Sequence, residues 1–332
     1  MRPGKYGMTH SQPFAGIPVL VTGANGFIGS HLSRYLVNLN AEVHVFVRVG
    51  SDRFRLRDIE DRVTVWHGDI THYSSVYSCL ANAKPKVIFH LAAARDVTRD
   101  IKLLDPMVST NLAGTINLFR AVQEAEISPA CIVNTGSSEE YGNGQVPFVE
   151  SQREMPVSPY SASKVASTHL AQMVHKSLGI PVVTLRPFLA YGPGQDTDMF
   201  VPSLIRHCLQ KKDFRMTSGD QTRDFVFIDD VIDAYLRAAF SNAAIGEVIN
   251  IGSGAEYRIR DIAEKILQKM GDPIRLIIGA REKRQGEADH FFCSNKKAYD
   301  VLGWSPKTGI DEGLDRTISW FRDSGCSTLT GM

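Results

Sequence analysis

Long apolar runs, paired cysteines and an excess of charge of either sign are all missing from this chain of 332 residues. No stretch approaches the roughly 20 apolar residues that a membrane-crossing helix needs, so no membrane is expected as a partner. The five cysteines, Cys79, Cys131, Cys208, Cys293 and Cys326, are scattered, odd in number and without CxxC spacing. That pattern argues for free thiols in a reducing cytoplasm and against disulfides or a zinc site. A formal charge of +1 gives no field that would attract nucleic acid. Any anion-binding site must therefore be built from local arginines. The first 16 residues hold a few basic groups and no apolar segment of secretory type, and they read as a flexible extension.

What is present is an ordinary globular composition, 43% apolar and 22% charged. Short apolar runs alternate with helical patterns. Strands are expected at Pro18–Val21, Val43–Val47, Val63–Trp66, Val87–His90, Cys131–Val133 and Val182–Leu185. Helices are expected at Phe27–Leu39, Met107–Ala125 and Pro159–Leu178. Strands without polar alternation, separated by helices, point to a parallel sheet covered on both faces. The fold class is α/β, a doubly wound Rossmann sheet with ligands at the C-terminal ends of its strands. After Pro187 the elements shorten and mix. Residues 17–187 with about 223–251 are expected to form the nucleotide domain. Residues 188–222 with about 252–332 are expected to form a smaller mixed α/β substrate domain.

Two motifs carry the chemistry. Gly23, Asn25, Gly26, Phe27, Ile28 and Gly29 lie where the first strand becomes the first helix. Glycines there permit a tight turn and let backbone N–H groups approach a pyrophosphate at the positive end of a helix dipole. The second strand ends in Arg48 where an NAD site usually places an acid for the ribose. Arginine suits a 2′-phosphate, so NADP is expected, with NAD as the alternative if Asp52 reaches the ribose instead.

Tyr160 and Lys164 are spaced to share one helix face. A neighbouring ammonium favours a phenolate, so Lys164 is expected to lower the proton affinity of Tyr160 while holding the nicotinamide ribose. Tyr160 would then move a hydroxyl proton as hydride moves. Upstream, Thr135-Gly136-Ser137-Ser138-Glu139-Glu140-Tyr141 follows a strand and so lies at the ligand edge. Ser137 is a candidate to bond the substrate oxygen, and Ser138 and Glu139 are candidates for acid–base work. One of the two glutamates is expected to be no more than a solvated turn residue.

These residues together resemble the extended short-chain dehydrogenase/reductases that modify nucleotide-diphosphate sugars. The resemblance runs from about Val19 to Phe321. It rests on the glycine turn, Gly68-Asp69-Ile70, His90-Leu91-Ala92-Ala93, Asn111-Leu112-x-Gly114-Thr115, Tyr160-x-x-x-Lys164, Tyr191-Gly192-Pro193-Gly194, Arg223-Asp224-Phe225 and Leu302-Gly303-Trp304. It implies Asp69 and Ile70 near the adenine, and Leu91, Ala92 and Ala93 along the cofactor. It also implies Arg223, Arg284 and Asn111 on the substrate, and a homodimer built on the helices around 107–125 and 159–178. A departure is Leu189, where many relatives carry a substrate-contacting Asn.

The family shares oxidation at the sugar C4, or its reverse, and diverges afterwards. A 4,6-dehydratase needs an extra acid–base group, which Glu139 supplies in register. A 4-keto reductase or a 4-epimerase needs only Ser137, Tyr160 and Lys164. Arg48 fits an NADPH-consuming reductase. A catalytically silent NADP sensor is a fourth reading, which the intact Ser137, Tyr160 and Lys164 oppose.

Overall fold

The computed structural model describes residues 13–283 and 286–324. Seven parallel strands form the central sheet. Six of them are β1 (Pro18–Thr22), β2 (Glu42–Val47), β3 (Thr64–His67), β4 (Val87–His90), β5 (Cys131–Thr135) and β6 (Val182–Pro187). The seventh, Val248–Ile251, pairs with β6 at one edge, so the order runs from it through β6, β5, β4, β1 and β2 to β3. The order reverses between β1 and β4, which opens a crevice at their C-terminal ends. Most strand side chains are buried on both faces, as in β4 (Val87 1%, Ile88 0%, Phe89 0%).

Helices cover both faces. Those that position the site are α1 (Phe27–Asn38), α2 (Tyr73–Ala83), α3 (Leu104–Met107), α4 (Gly114–Glu124) and α5 (Pro159–Leu178). The helix expected over 107–125 is longer and is interrupted by a π-helical stretch, Val108–Ala113. Within it the Asn111 carbonyl accepts from Thr115 Oγ1 at 2.6 Å. Beyond β6 come short strands and helices, including Leu189–Tyr191, which pairs with Phe225–Phe227, and the two-residue strand Thr222–Arg223, which pairs with Tyr257–Arg258.

The N-terminal expectation needs correction at residues 13–16. Phe14 is 1% exposed and packs edge-on against Phe240 with centroids 4.6 Å apart. Burying that ring ties this stretch to the core. Residues 1–12 lie outside the described part. Cys79, Cys131, Cys208 and Cys293 are free and buried, and Cys326 lies outside the described residues. No described helix is long and apolar enough to cross a membrane.

Candidate active site

The β1–α1 turn is built for close backbone approach. Gly23 has φ +68°, and a Cβ there would stand 2.7 Å from the Ala92 nitrogen. A Cβ on Gly29 would stand 2.3 Å from the Gly23 carbonyl oxygen. Helix α1 has Gly26 as its N-cap, with no side-chain cap and no acid in its first turn. Its first N–H groups and dipole are therefore presented to whatever lies in the crevice, which suits a diphosphate. A cleft of about 570 Å³ runs from this turn, lined by Asn25, Gly26, Arg48, Asp69, Ile70, Leu91, Ala92 and Ala93. Phe27, Ile28 and Gly29 line the adjoining cleft. Uncapped donors, a glycine cradle and arginines at the mouth fit a dinucleotide. Asp69 is not idle there: its carboxylate accepts from the Thr71 N–H at 2.9 Å and hydroxyl at 2.8 Å.

Beside the turn, the C-terminal ends of β5 and β6 and the start of α5 enclose a second cleft of about 410 Å³. Ser137, Ser138, Glu139, Tyr160, Lys164 and Arg223 line it. Ser158 caps α5 and accepts from the Ser161 N–H at 3.1 Å, with Pro159 at the first helical position. That start fixes the direction of Tyr160 and Lys164. The Lys164 ammonium donates to the Thr135 carbonyl at the end of β5, and Lys164 is 5% exposed. Burial pulls its pKa down to about 8, against the charge of Glu140. The Tyr160 phenol is pushed up to about 12 by burial, with a Ser137 hydrogen bond opposing. The expectation that Lys164 lowers the Tyr160 pKa is thus not met in this state. Burial is the dominant cause, while the Lys164 ammonium donates to the Thr135 carbonyl. Tyr160 here holds its proton at neutral pH.

The loop after β5 forms a short 3-10 turn, Ser138–Tyr141, whose N-cap is Ser137. Ser137 Oγ accepts from the Glu139 N–H at 3.1 Å, and the Ser137 N–H donates to Glu140 Oε1 at 2.7 Å. Glu140 is not a solvated turn residue. It is 0% exposed and accepts from Arg186 Nε at 2.9 Å and Thr168 Oγ1 at 3.1 Å. The sequence signal for this was present as a capping box, with serine followed three residues later by glutamate. Glu139 points the other way and lines both the catalytic cleft and a larger one beyond it.

That third cleft, about 650 Å³, holds Arg95, Arg99, Arg215, Arg223 and Arg281 together with Leu189 and Phe291. Arg223 lines it with its guanidinium donating to Glu287 and to the Ala288 carbonyl, the latter at 3.2 Å. Asp224 accepts from Ser253, and Asp229 from Arg316. Asn111 is not brought to the substrate cleft. It is 2% exposed, and its amide is committed to Ala94 N at 2.7 Å, Ala94 O at 3.1 Å and Ser163 Oγ at 2.9 Å. Its role is to hold the loop after β4 against α5. Arg284 lies outside the described residues. Arg95 was missed by the sequence reading. It lines all three clefts and is held by Asp196 at 3.4 Å and Asp198 at 3.6 Å. Nothing local in the sequence marks it, because its carboxylate partners lie about a hundred residues downstream.

A glycine turn at the reversal of a parallel sheet, with Tyr160 and Lys164 at the C-terminal end of β5, defines a dinucleotide-dependent short-chain dehydrogenase/reductase. The family model described as GDP-mannose 4,6 dehydratase matches residues 20–317. The chain belongs to that family, among the extended nucleotide-sugar dehydratases and epimerases, and it is an enzyme. It is 28% identical to dTDP-glucose 4,6-dehydratase of Haemophilus influenzae, over 91% of this chain and 97% of that one. It is 31% identical to UDP-glucose 4-epimerase of Mycolicibacterium smegmatis, over 92% and 98%. Among solved structures, UDP-glucuronic acid 4-epimerase of Bacillus cereus, in complex with UDP-glucuronic acid and NAD, superimposes with a TM-score of 0.83 at 30% identity, covering 92% of this chain and 99% of that one.

Proposed function

We propose that this protein is a nucleotide-diphosphate-hexose 4,6-dehydratase. The observation that carries the reading is Glu139, a carboxylate in the wall shared by the catalytic and substrate clefts, close enough to Tyr160 to raise its pKa. Epimerisation and ketone reduction do not require a carboxylate at that place, although some reductases of the family carry a similar Gly-Ser-Ser-Glu-Glu-Tyr-Gly loop. Elimination across C5 and C6 needs one. Relatives named as 4,6-dehydratases support the same choice.

The protein's own groups divide the work. Ser137 and Tyr160 hold the sugar O4, and Tyr160, once ionised, accepts its proton when C4 is oxidised and gives it back to a ketone in the reverse direction. Lys164 stands behind with the positive charge that favours a phenolate. Glu139 takes the proton from C5 and passes it to the C6 oxygen, which leaves as water; when hydride returns at C6, C5 regains a proton, balanced by the one that Tyr160 took from O4 and releases. Arg223 holds the diphosphate by its guanidinium fork, displacing Glu287. A nicotinamide coenzyme held by its diphosphate at the glycine turn would supply hydride acceptance and return, so none would be consumed.

The test is a panel of nucleotide-diphosphate hexoses with purified protein. A 4-keto-6-deoxy product without net coenzyme use supports the dehydratase, and Glu139→Gln then stops elimination while C4 oxidation persists. A mixture of C4 epimers, or no elimination from any hexose, refutes it. The second reading is an NADPH-dependent 4-keto reductase, favoured by Arg48, which lines the adenosine end of the cleft with no acid in its place. Stoichiometric NADPH loss on a 4-keto-6-deoxyhexose would select it. For either reaction we propose NADP rather than NAD, although relatives are seen with NAD. Arg48→Asp is expected to weaken NADP binding about tenfold or more and to spare NAD, as loss of a charge-assisted phosphate contact does; equal binding of both coenzymes by parent and variant would show that Arg48 does not select.

A further inference from the structure

The catalytic loop passes between two buried charges of opposite sign. On one side the Lys164 ammonium bonds the Thr135 carbonyl. On the other, two residues further along, the Glu140 carboxylate accepts the Ser137 N–H at 2.7 Å. Gly136 lies between them, and a Cβ there would meet Glu140 Oε1 at 2.7 Å and Arg186 Cγ at 3.0 Å. Arg186, at 1% exposed, extends the arrangement. It holds Glu140 on one side and Glu154 Oε1, at 2.6 Å, on the other. Glu140 belongs to the segment carrying Ser137 and Glu139. Glu154 belongs to the segment that leads into α5 and Tyr160. One guanidinium thus ties together the two segments that must meet at the substrate.

We propose that Glu140 is a positioning residue for catalysis: its carboxylate fixes the Ser137 amide from beneath and supplies the buried negative charge that keeps Lys164 an ammonium beside Tyr160. This rests on the reading of Tyr160 and Lys164 as the proton-moving pair, and it goes beyond the Ser–Tyr–Lys set.

The charges facing this point come from every packed element. Arg186 comes from β6, with Glu154 behind it. Tyr141 and Glu139 come from the loop itself, and Tyr160 and Lys164 from α5. His90 from β4 lies near Lys164; Arg95 and, from the helix Ile228–Ala238, Tyr235 lie near Tyr160. Burial pushes the Glu140 carboxyl up, and Arg186 and the Ser137 N–H oppose it. With a guanidinium nitrogen at 2.7 Å the carboxylate stays ionised. Its charge raises the pKa of Lys164 against burial. Removing it leaves burial unopposed, so Lys164 loses its proton at lower pH and no longer favours the Tyr160 phenolate.

The experiment titrates the Lys164 side chain by NMR in lysine-labelled protein, the signal being identified by its loss in Lys164→Ala. Glu140→Gln keeps the acceptor for Ser137 and removes the charge. It is expected to lower the Lys164 midpoint by about one pH unit, the scale of a nearby buried charge. On a turned-over substrate it should move the alkaline limb of kcat acidward by the same amount, with KM held within about twofold. Glu140→Asp keeps the charge and loses reach, so the midpoint should stay near about 8, and Glu154→Gln should not move it. A Lys164 midpoint that Glu140→Gln leaves in place, or that Glu140→Asp lowers as far, overturns the proposal. Should Glu140→Gln not fold, Glu140→Asp decides alone on that second criterion. The NMR titration needs no substrate, so a failed sugar panel sinks the dehydratase reading and leaves this one standing.

Discussion

Buried ionisable side chains set the behaviour of this protein most directly. Arg186 is 1% exposed between Glu140 and Glu154. Replacing it with methionine would strand the Glu140 carboxylate without its guanidinium, a change that costs about 3–5 kcal/mol when one partner of a buried pair is removed. Urea denaturation should show a lowered midpoint of that order; a loss below about 1 kcal/mol would mean that Glu140 simply takes up a proton. His90 gives the pH counterpart. It bonds Thr22 Oγ1 at 2.8 Å and Thr115 Oγ1 at 3.0 Å, and burial pulls its pKa from 6.5 to about 3. In the unfolded chain His90 binds a proton below its ordinary value, whereas in the folded chain it stays neutral. The unfolded state therefore holds more protons between about 6.5 and about 3. Stability contributed by a neutral His90 is full above that window and falls by about 1.4 kcal/mol per pH unit on descending through it. A His90→Gln variant should lose that part of the acid sensitivity in denaturation curves taken from pH 7 to pH 4.

At the level of elements, the β1–α1 turn is the most constrained piece of backbone. Gly29→Ala puts a methyl 2.3 Å from the Gly23 carbonyl, a contact that only a shift of the turn relieves. The variant should lose dinucleotide binding by at least about a hundredfold in calorimetry, because the N–H groups that would meet the diphosphate move with the turn. Retained affinity would mean that the diphosphate does not sit there. This turn was readable in the sequence, since glycine spacing after an apolar run is a local signal with a backbone cause. So was α5, through Ser158, Pro159 and the spacing of Tyr160 and Lys164. What escaped had non-local causes. The π-helical stretch Val108–Ala113 reflects no residue pattern, but it contains Asn111, whose amide is committed to Ala94 and Ser163. The burial of Glu140 depends on Arg186, forty-six residues away. The altered proton affinity of Tyr160 depends on how deeply α5 packs, which helical periodicity does not report.

For the molecule as a whole, the remaining question is what covers the outer face of the helices beside the site. Ile101 (77% exposed), Leu104 (38%), Val108 (38%) and Ile116 (44%) lie along the helical run from Ile101 to Glu124, and Met173 (45%) and Leu178 (50%) lie on α5. Isolated exposed apolar residues are ordinary, but α5 and the helical run packed against it carry six of them. The family resemblance expects a homodimer on these helices, and a second copy of the chain is the occupant proposed here. A two-fold contact is self-complementary, so one substitution acts twice in the same interface. Ile116→Glu together with Met173→Glu would place charges at the patch in both copies, a large penalty for buried unpaired carboxylates. Sedimentation should show the parent as a dimer and the double variant as a monomer. Because Met107 and Asn111 on the same run pack inward at 3% and 2% exposed, the loop after β4 and the start of α5 should then become more mobile. Turnover is expected to fall and coenzyme affinity to weaken with it, because Leu91, Ala92 and Ala93 of that loop line the cofactor cleft beside the β1–α1 turn. A parent that sediments as a monomer at micromolar concentration removes the dimer; a dimeric double variant places the contact on another face.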